Sequence, residues 1–288
     1  MRNSPTLEVK GVPFVVIFTD LDGTLLDRET YDWEAAEPAL KLCYRHNFPI
    51  VLVSSKTRAE IEIFQAKLGL SAPFISENGG GVFFPRRSHH EGPPGAVVSD
   101  DSWKWSLGPS YDALVKALGE IRDELGWVIR GCSEMTPEEI SNRTGLDLET
   151  SQLALRREHD EPFIIVEPLD KDMDALEEAA ERRGFQITEG GRFYHLHGKK
   201  DKGEAVKHLI LWYKGSQPRL ISVALGDSPT DFSMLEQVDH PVLIRSSETY
   251  SGLKDRIPGL KITSQMGPEG WNSAVLNIVG EIISGGMS

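Results

Sequence analysis

The sequence predicts an α/β fold in which a doubly wound parallel sheet is interrupted by an inserted α+β domain. Short apolar segments alternate with helical segments over residues 12–81, which is typical of a parallel sheet covered by helices. The alternation stops at a segment rich in glycine, proline and charge, residues 86–102, and resumes later in the chain. We therefore expect a discontinuous core, 1–85 and 199–288, around an inserted domain at 86–198.

The first part of the chain is predicted from its apolar spacing. Apolar residues three or four apart predict helices within 33–47 and 57–70, and Gly69 suits the end of the second helix. Apolar runs with β-branched residues predict strands within 12–20, 48–55 and 73–81, the last running into a glycine turn.

Helices and strands are also predicted within the insertion and in the part of the core that follows it. Thr136, Pro137 and Glu139 form a predicted helix start, because a capping threonine is followed three residues later by glutamate. The insertion is predicted to hold helices within 111–126 and 173–184, a strand within 162–168 and a hairpin within 185–198. The core then resumes with helices within 201–215 and 228–238 and strands within 219–227 and 241–245.

Composition limits the classes of partner. The 288 residues carry a net charge of −13, which argues against general affinity for nucleic acid or an anionic membrane. Cys43 and Cys132 are far apart and are expected to be reduced thiols. The chain has no apolar stretch of membrane-spanning length, and residues 1–11 lack a signal-peptide core. We expect a cytoplasmic enzyme. The sequence predicts no particular oligomeric state.

Polar residues gather at the predicted ends of core strands, where ligands bind in open α/β sheets. Asp20 and Asp22 end a buried strand two positions apart. Two carboxylates that close repel each other and resist desolvation, so the pair requires a cation or a chemical role. Each feature alone is common in surface turns, helix caps and loops, but the ordered set indicates one site. Its other members are Ser54, Lys202, Asp227 and Asp231.

The segments "DLDGT", "VSS", "DKG" and "GDSPTD" resemble, in order, the four motifs of haloacid dehalogenase-superfamily phosphatases. The insertion lies where that superfamily places C2-type caps, so the resemblance implies a HAD-like core with such a cap. The mannosyl-3-phosphoglycerate phosphatase family is the most similar branch. The matching segments are "YDW", "SSKT", "ENGG", "TGL", "ALRREHDEP", "GGRFYHL" and "GPEGW". The segment "SSKT" replaces the "TGR" of many related sugar phosphatases with C2-type caps, so it is a more discriminating signal than "DLDGT".

The resemblance implies roles that fit the chemistry of phosphate monoester hydrolysis. Asp20 would attack phosphorus and form an aspartyl-phosphate. Asp22 would protonate the leaving alkoxide and then deprotonate the attacking water, a role that a dehalogenase does not need. Ser54 would bond a phosphate oxygen. Lys202 would offset the negative charge, with Lys199 and Lys200 as competitors for that role.

The same resemblance implies a Mg²⁺ cofactor. An Asp20 carboxylate oxygen, the Asp22 backbone carbonyl and Asp227 would hold the cation, with Asp231 in support. Oxygen ligands of this kind suit a hard cation that keeps several waters.

Substrate contacts are expected from three regions. Lys56 follows the Ser54 motif and could reach the phosphate or the glycerate carboxylate. Glu77 and Asn78 could bond sugar hydroxyls, although a glycine turn with a capping asparagine is an equal alternative. In the insertion, Arg156 and Arg157 are expected on a helix. One of them, facing the cleft, could clamp a carboxylate through two hydrogen bonds, while at least one of the two is expected to be a solvated residue. Arg192 could be another clamp.

These expectations combine into a Mg²⁺-dependent phosphatase that acts on a phosphorylated sugar. The family resemblance favours mannosyl-3-phosphoglycerate as substrate and mannosylglycerate as product. The alternatives are a phosphatase of glucosyl-3-phosphoglycerate or another sugar phosphate and, less favoured, a phosphomutase or phosphotransferase. A non-catalytic sensor of phosphorylated ligands is disfavoured by the complete motif set, because a sensor does not need Asp22.

Overall fold

The computed structural model describes residues 13–167, 172–189, 192–248 and 250–285. They form two compact units. One comprises the segment up to Ile50 and the segment from Leu209 onward, and the other extends from Val51 to His208. The predicted domain boundaries at residues 85 and 199 remain a prediction, since compact packing units need not coincide with an inserted domain.

The elements follow the alternation expected of an α/β chain. The described strands are β1 (Phe14–Thr19), β2 (Ile50–Leu52), β3 (Phe74–Ser76), β4 (Gly81–Pro85), β5 (Val97–Ser99), β6 (Ser102–Ser106), β7 (Val128–Gly131), β8 (Asp160–Glu167), β9 (Gln186–Glu189), β10 (Tyr194–His197), β11 (Leu220–Gly226), β12 (His240–Arg245) and β13 (Lys261–Met266). The described α-helices are α1 (Glu37–Arg45), α2 (Arg58–Lys67), α3 (Tyr111–Leu125), α4 (Pro137–Thr144), α5 (Leu148–Ala154), α6 (Met173–Glu181), α7 (Lys202–Lys214), α8 (Phe232–Leu235), α9 (Leu253–Arg256) and α10 (Gly267–Gly285).

The first unit is built on the predicted parallel sheet. The sheet has the order β13-β12-β11-β1-β2, and β2 begins at Ile50. β1 pairs in parallel with β11, β11 with β12, and β12 with β13. Val16, Ile17 and Phe18 are fully buried, as expected for a central parallel strand. Trp271 of α10 is also fully buried and donates its indole N–H to Thr19 Oγ1 at 3.0 Å.

The second unit contains two antiparallel sheets. The first has the order β7-β8-β10-β9, and α3 and α6 pack on it around Leu118, Phe163, Leu176 and Leu196. The predicted hairpin within 185–198 is the β9–β10 pair of this sheet. The other sheet has the order β3-β4-β6-β5.

The third predicted strand differs from its expected arrangement. Residues 73–81 were expected to form a parallel strand that runs into a glycine turn. β3 ends at Ser76, and after the turn β4 pairs back on it antiparallel, with Phe74 opposite Phe83. A parallel bridge joins Val53 to Ile75. The chain can reverse here because Gly79 has a φ of 102°, which glycine adopts without steric cost.

The segment 86–102 is also more ordered than its composition indicates. It holds β5 and the first residue of β6, which form a hairpin through Asp100 and Asp101. Val98 lies opposite Trp103, a β-branched and aromatic pair that stabilises antiparallel strands. The composition of residues 86–102 predicts a loop or a domain boundary, and residues 86–96 contain no helix or strand. The strand residues at 97–99 and 102 were missed because glycine and proline precede them.

The predicted helix start at Thr136 is confirmed. Its side chain accepts the Glu139 N–H, and the Glu139 carboxylate accepts the Thr136 N–H at 2.9 Å. Within the described residues, no helix combines the length and the apolar character needed to cross a membrane.

Candidate active site

The carboxyl ends of β1 and β11 meet at one edge of the first unit's sheet. β1 and β11 are parallel neighbours with Thr19 opposite Leu225, and the Asp20 N–H donates to the Leu225 carbonyl at 3.0 Å. Asp20 therefore follows β1 at the edge where Asp227 follows β11. Adjacent parallel strands bring two residues together that are far apart in sequence.

Three carboxylates converge at this edge. Asp20, Asp227 and Asp231 are 7%, 3% and 0% exposed, and one carboxylate oxygen from each lies within 4.8 Å of the others. Such a buried acidic cluster is electrostatically costly without positive charge. The oxygen donors fit a hard divalent cation such as Mg²⁺. The side chain of Asp22 is not part of this group among the described residues.

The turn after β11 determines where the Asp231 carboxylate lies. Its Oδ2 accepts the N–H of Asp227 at 3.0 Å, the N–H of Ser228 at 3.1 Å and the Ser228 hydroxyl at 2.9 Å. A Cβ on Gly226 would lie 2.4 Å from the Asp231 Cβ, so glycine is required for this approach. Asp231 thus holds the backbone that carries Asp227.

Arg28 is a site residue that sequence reasoning missed. Its guanidinium is hydrogen-bonded to Asp227 Oδ2, while Thr24 Oγ1 donates to Asp227 Oδ1 at 3.4 Å. Burial lowers the pKa of Arg28, but the charges of Asp227, Asp20 and Asp22 outweigh it and raise that pKa. The available signal was a lone arginine within the acidic stretch "DLDGTLLDRETYD".

In the second unit, Ser54 lies in a buried loop after β2. It is 1% exposed, its N–H donates to the Ile75 carbonyl at 3.0 Å, and its Oγ accepts the Lys56 N–H at 3.2 Å. Thr57 then caps α2 in a capping box with Glu60. Lys56 is partly buried, with its ammonium 5.9 Å from the centre of the Phe64 ring.

Residues 77–80, called the 77–80 turn below, pack directly on the Ser54 loop. The Glu77 N–H donates to the Lys56 carbonyl at 3.1 Å, and the Asn78 N–H donates to the Ser54 carbonyl at 3.0 Å. A Cβ on Gly79 would lie 3.0 Å from the backbone nitrogen of Lys202, whose side chain is 2% exposed. The structure therefore brings five of the predicted residues, Ser54, Lys56, Glu77, Asn78 and Lys202, into one neighbourhood of this unit.

The Glu77 carboxylate faces backbone amides. It is 2% exposed and accepts the N–H groups of Glu158 and His159, the latter at 2.7 Å. Burial raises the pKa of Glu77 to about 7, with Arg157 opposing the shift and Asp160 adding to it. Sequence reasoning did not foresee that this carboxylate would be enclosed.

Arg156 and Arg157 differ from the prediction that both lie on a helix. α5 ends at Ala154, and both arginines lie in the connection to β8. Beyond the end of the helix, the Arg157 Nε–H donates to the Ala154 carbonyl at 2.9 Å. Another nitrogen of Arg157 donates to the Ser55 carbonyl at 3.0 Å. Arg157 therefore joins the Ser54 neighbourhood.

Arg156 and Arg192 are not part of that neighbourhood. Arg156 is exposed and lines a cavity of about 620 Å³ together with Arg58, Arg86 and Arg87. Arg192 is exposed and precedes β10. The prediction of a solvated arginine in the insertion agrees with the exposure of Arg156.

Asp160 is a second group that sequence reasoning missed. Although burial opposes its ionisation, His195 and Arg157 together hold the pKa of Asp160 below its ordinary value. Its Oδ2 accepts from His195 Nδ1 at 2.8 Å and from Arg157 at 3.3 Å. The ionised Asp160 thus anchors the arginine that reaches the Ser54 loop.

Comparisons with known proteins agree with this fold. Residues 17–91 match a family model described as haloacid dehalogenase-like hydrolase. A glucosyl-3-phosphoglycerate/mannosyl-3-phosphoglycerate phosphatase of Persephonella marina is 40% identical over 94% of this chain and 99% of its own length. A protein of the same name from Methanococcoides burtonii is 37% identical over 92% and 97% of the two chains. A mannosyl-3-phosphoglycerate phosphatase of Pyrococcus furiosus is 37% identical over 83% and 97%.

Solved structures share the fold at lower sequence identity. A protein of Thermoplasma acidophilum is similar with a TM-score of 0.65 and 20% identity, covering 93% of this chain and 99% of its own. A haloacid dehalogenase subclass IIB sugar phosphatase is similar with a TM-score of 0.60 and 16% identity, covering 92% and 98%. Both likenesses cover the predicted insertion as well as the core.

Proposed function

This chain belongs to the mannosyl-3-phosphoglycerate phosphatase family of haloacid dehalogenase-like hydrolases and is a phosphoric monoester hydrolase; we propose that it hydrolyses mannosyl-3-phosphoglycerate to mannosylglycerate and phosphate. One observation carries the proposal: the convergence of Asp20, Asp227 and Asp231 at the ends of two parallel strands. Hydrolysis of a phosphate monoester needs positive charge beside the phosphate, which a cation held by these three carboxylates would supply. The names of the relatives support the substrate.

Mg²⁺ is the proposed cofactor. An Asp20 oxygen, the Asp22 carbonyl and Asp227 would hold it, and Asp231 would support the site through its bonds to the backbone of Asp227 and Ser228. The bound cation would supply positive charge that offsets the charge of the phosphate.

Two aspartates would carry the covalent chemistry. The Asp20 carboxylate would attack phosphorus, so that a P–O bond to Asp20 forms as the bond to the sugar-side alkoxide breaks. Asp22 would give its proton to that alkoxide and later take a proton from the water that cleaves the aspartyl-phosphate.

Ser54 and Lys202 would bind the phosphate. A serine hydroxyl can donate to a phosphate oxygen, and a lysine ammonium offsets its charge. Both residues are buried, which strengthens such interactions. Lys199 and Lys200 are both exposed, which favours Lys202 for the buried charge.

Lys56, Asn78 and Arg157 are the proposed substrate contacts from the neighbourhood of Ser54. Arg156 and Arg192 would contribute only from exposed positions. A carboxylate such as that of glycerate would pair best with a guanidinium, which can bind it through two hydrogen bonds.

Glucosyl-3-phosphoglycerate is a second candidate substrate. The relatives from Persephonella marina and Methanococcoides burtonii are named for both glucosyl and mannosyl substrates. The two sugars differ only at one hydroxyl, so one site can accept both with modest discrimination.

Phosphate release across a substrate panel tests the proposal. The purified protein with Mg²⁺ is assayed on mannosyl-3-phosphoglycerate, glucosyl-3-phosphoglycerate, mannose 6-phosphate and glucose 6-phosphate. We expect kcat/KM to be at least about tenfold higher for the first compound than for the simple sugar phosphates. A comparable kcat/KM for glucosyl-3-phosphoglycerate would indicate that the enzyme hydrolyses both glycosyl compounds. Faster release from simple sugar phosphates would contradict the proposed substrate.

A further inference from the structure

We propose that Glu77 is a positioning residue, which joins the Ser54 loop to the segment 157–160 and thereby maintains the phosphate-binding groups. The inference rests on the proposed function for the roles of Ser54 and Lys202. It differs from the expectation that Glu77 bonds the sugar, because its carboxylate is enclosed and bonded to backbone N–H groups.

The backbone of the 77–80 turn has an unfavourable conformation that contacts with neighbouring segments must stabilise. Glu77 and Asn78 have φ values of 48° and 53°, and Gly79 has a φ of 102°. Left-handed conformations at two consecutive non-glycine residues are costly, so they persist only where surrounding contacts determine them. Those contacts come from three segments of the second unit.

The first contact is with the loop that carries Ser54. The N–H groups of Glu77 and Asn78 donate to the carbonyls of Lys56 and Ser54 at 3.1 and 3.0 Å. The Ser54 N–H in turn donates to the Ile75 carbonyl at 3.0 Å. The backbone position of Ser54 is therefore tied on both sides to β3 and the turn that follows it.

The second contact is with the segment that enters β8. The Glu77 carboxylate accepts the Glu158 N–H at 3.0 and 3.1 Å and the His159 N–H at 2.7 Å. Gly80 packs against the same segment, since a Cβ on it would lie 2.3 Å from the His159 Cβ. Arg157 adds a second link, from Asp160 at 3.3 Å to the Ser55 carbonyl at 3.0 Å.

The third contact is with the start of α7. A Cβ on Gly79 would lie 2.1 Å from the Asp201 carbonyl oxygen and 3.0 Å from the Lys202 nitrogen. The 77–80 turn thus contacts the backbone of both proposed phosphate-binding residues. A shift of this turn would move Ser54 and Lys202 together, and small misplacements of such groups slow catalysis strongly.

Kinetics on two phosphate esters test the proposal. Glu77→Ala, Glu77→Gln and the control Glu139→Ala are assayed on mannosyl-3-phosphoglycerate and on p-nitrophenyl phosphate, which has neither sugar nor glycerate. Glu139 is a matched control, because it also accepts a backbone N–H, that of Thr136 at 2.9 Å, and pairs with Arg130 at 2.6 Å. A positioning role predicts that Glu77→Ala lowers kcat at least about tenfold by the same factor on both esters.

The conservative variant separates positioning from a general loss of structure. Glu77→Gln keeps a carbonyl oxygen that can accept the His159 N–H, so it should recover most of the lost kcat. Glu139→Ala should lower the urea midpoint without changing either rate. A loss confined to the sugar substrate would overturn the proposal in favour of direct contact, as would equal losses in Glu77→Ala and Glu77→Gln.

A second readout applies if Glu77→Ala does not fold. Glutamine has one acceptor oxygen where glutamate has two, so amide hydrogen exchange in Glu77→Gln should be modestly faster, and faster together, at residues 54–57 and 158–159. Acceleration confined to 158–159 would overturn the proposal. The wild type could prove inactive on mannosyl-3-phosphoglycerate yet active on p-nitrophenyl phosphate and another sugar phosphate. If Glu77→Ala then lowers both of those rates by the same factor, the proposed substrate is wrong and the positioning role of Glu77 is supported.

Discussion

The guanidinium of Arg28 bonds the carboxylate of Asp227, a residue 199 positions further along the chain. This contact gives the acidic cluster of Asp20, Asp227 and Asp231 a cationic partner from the protein itself. It also means that a metal ion and Arg28 both interact with the charge of Asp227. Arg28 is 67% exposed, so solvent screens its contribution.

Arg28→Ala is expected to bind Mg²⁺ more tightly, by roughly two- to fivefold, because one competing positive charge is removed from a partly screened site. Isothermal calorimetry of Mg²⁺ binding measures the change. Arg45→Ala is the control, since Arg45 ends α1 and bonds the Lys41 carbonyl at 3.3 Å. Weaker Mg²⁺ binding in Arg28→Ala would show that Arg28 mainly holds Asp227 in position.

Asp20→Asn is expected to lower kcat at least about 1,000-fold, because the amide cannot serve as the attacking carboxylate. Without metal the variant should be no less stable than the wild type, since one of three converging buried charges is removed. Phosphate release and thermal unfolding measure the two effects. Asp27→Asn is the control, as Asp27 is in the same loop but caps the Thr30 N–H. Full turnover by Asp20→Asn would exclude the nucleophile assignment.

The buried Glu77 predicts a pH dependence of stability. Its folded pKa of about 7 lies above the ordinary value of 4.5. Between those pH values the folded protein keeps a proton that the unfolded chain has lost, so its free energy of unfolding falls as pH rises. Relative to Glu77→Gln, the wild type should lose at most about 3 kcal/mol from pH 4.5 to 8.

Urea denaturation at a series of pH values measures that difference. Glu139→Gln is the control, because the hydrogen bond from Arg130 lowers the pKa of Glu139. The wild type should therefore show no corresponding loss against Glu139→Gln. A constant difference between the wild type and Glu77→Gln across this range would contradict the shifted pKa of Glu77.

The stabilities of Gly79→Ala and Gly69→Ala distinguish the cost of a steric clash from the cost of backbone strain. Both glycines have positive φ, 102° and 65°, but a Cβ on Gly79 would lie 2.1 Å from a carbonyl oxygen, while a Cβ on Gly69 would meet nothing within 4 Å. Gly69→Ala should cost about 1–2 kcal/mol from strain. Gly79→Ala should cost roughly 3 kcal/mol or more, since the packed backbone must also move. Equal urea midpoints for the two variants would contradict the tight packing of the 77–80 turn.

Much of the fold was predictable because its signals are local. The apolar run at Phe14–Phe18, the capping box at Thr136 and the glycine after α2 each depend on residues a few positions apart. The order of strand-ending polar residues also predicted that Asp20, Asp227 and Asp231 would converge. Adjacent parallel strands necessarily bring such residues to one edge.

Other features were missed because they depend on pairing between distant segments. Residues 97–99 form a strand only because β6 pairs with them. The stretch at Arg156 and Arg157 has helix-compatible composition, yet Arg157 instead links Ala154, Ser55 and Asp160. Helical propensity is a weak preference that such tertiary contacts override.

The sequence by itself determined the alternating α/β order, the acidic pair after β1 and the chemical type of each proposed catalytic residue. These follow from side-chain chemistry and from short-range spacing. Only the tertiary structure decided that Glu77 faces backbone amides and that Arg28 pairs with Asp227. The physical reason is that burial and ion pairing depend on which remote segments pack together, and no short stretch of sequence determines that packing.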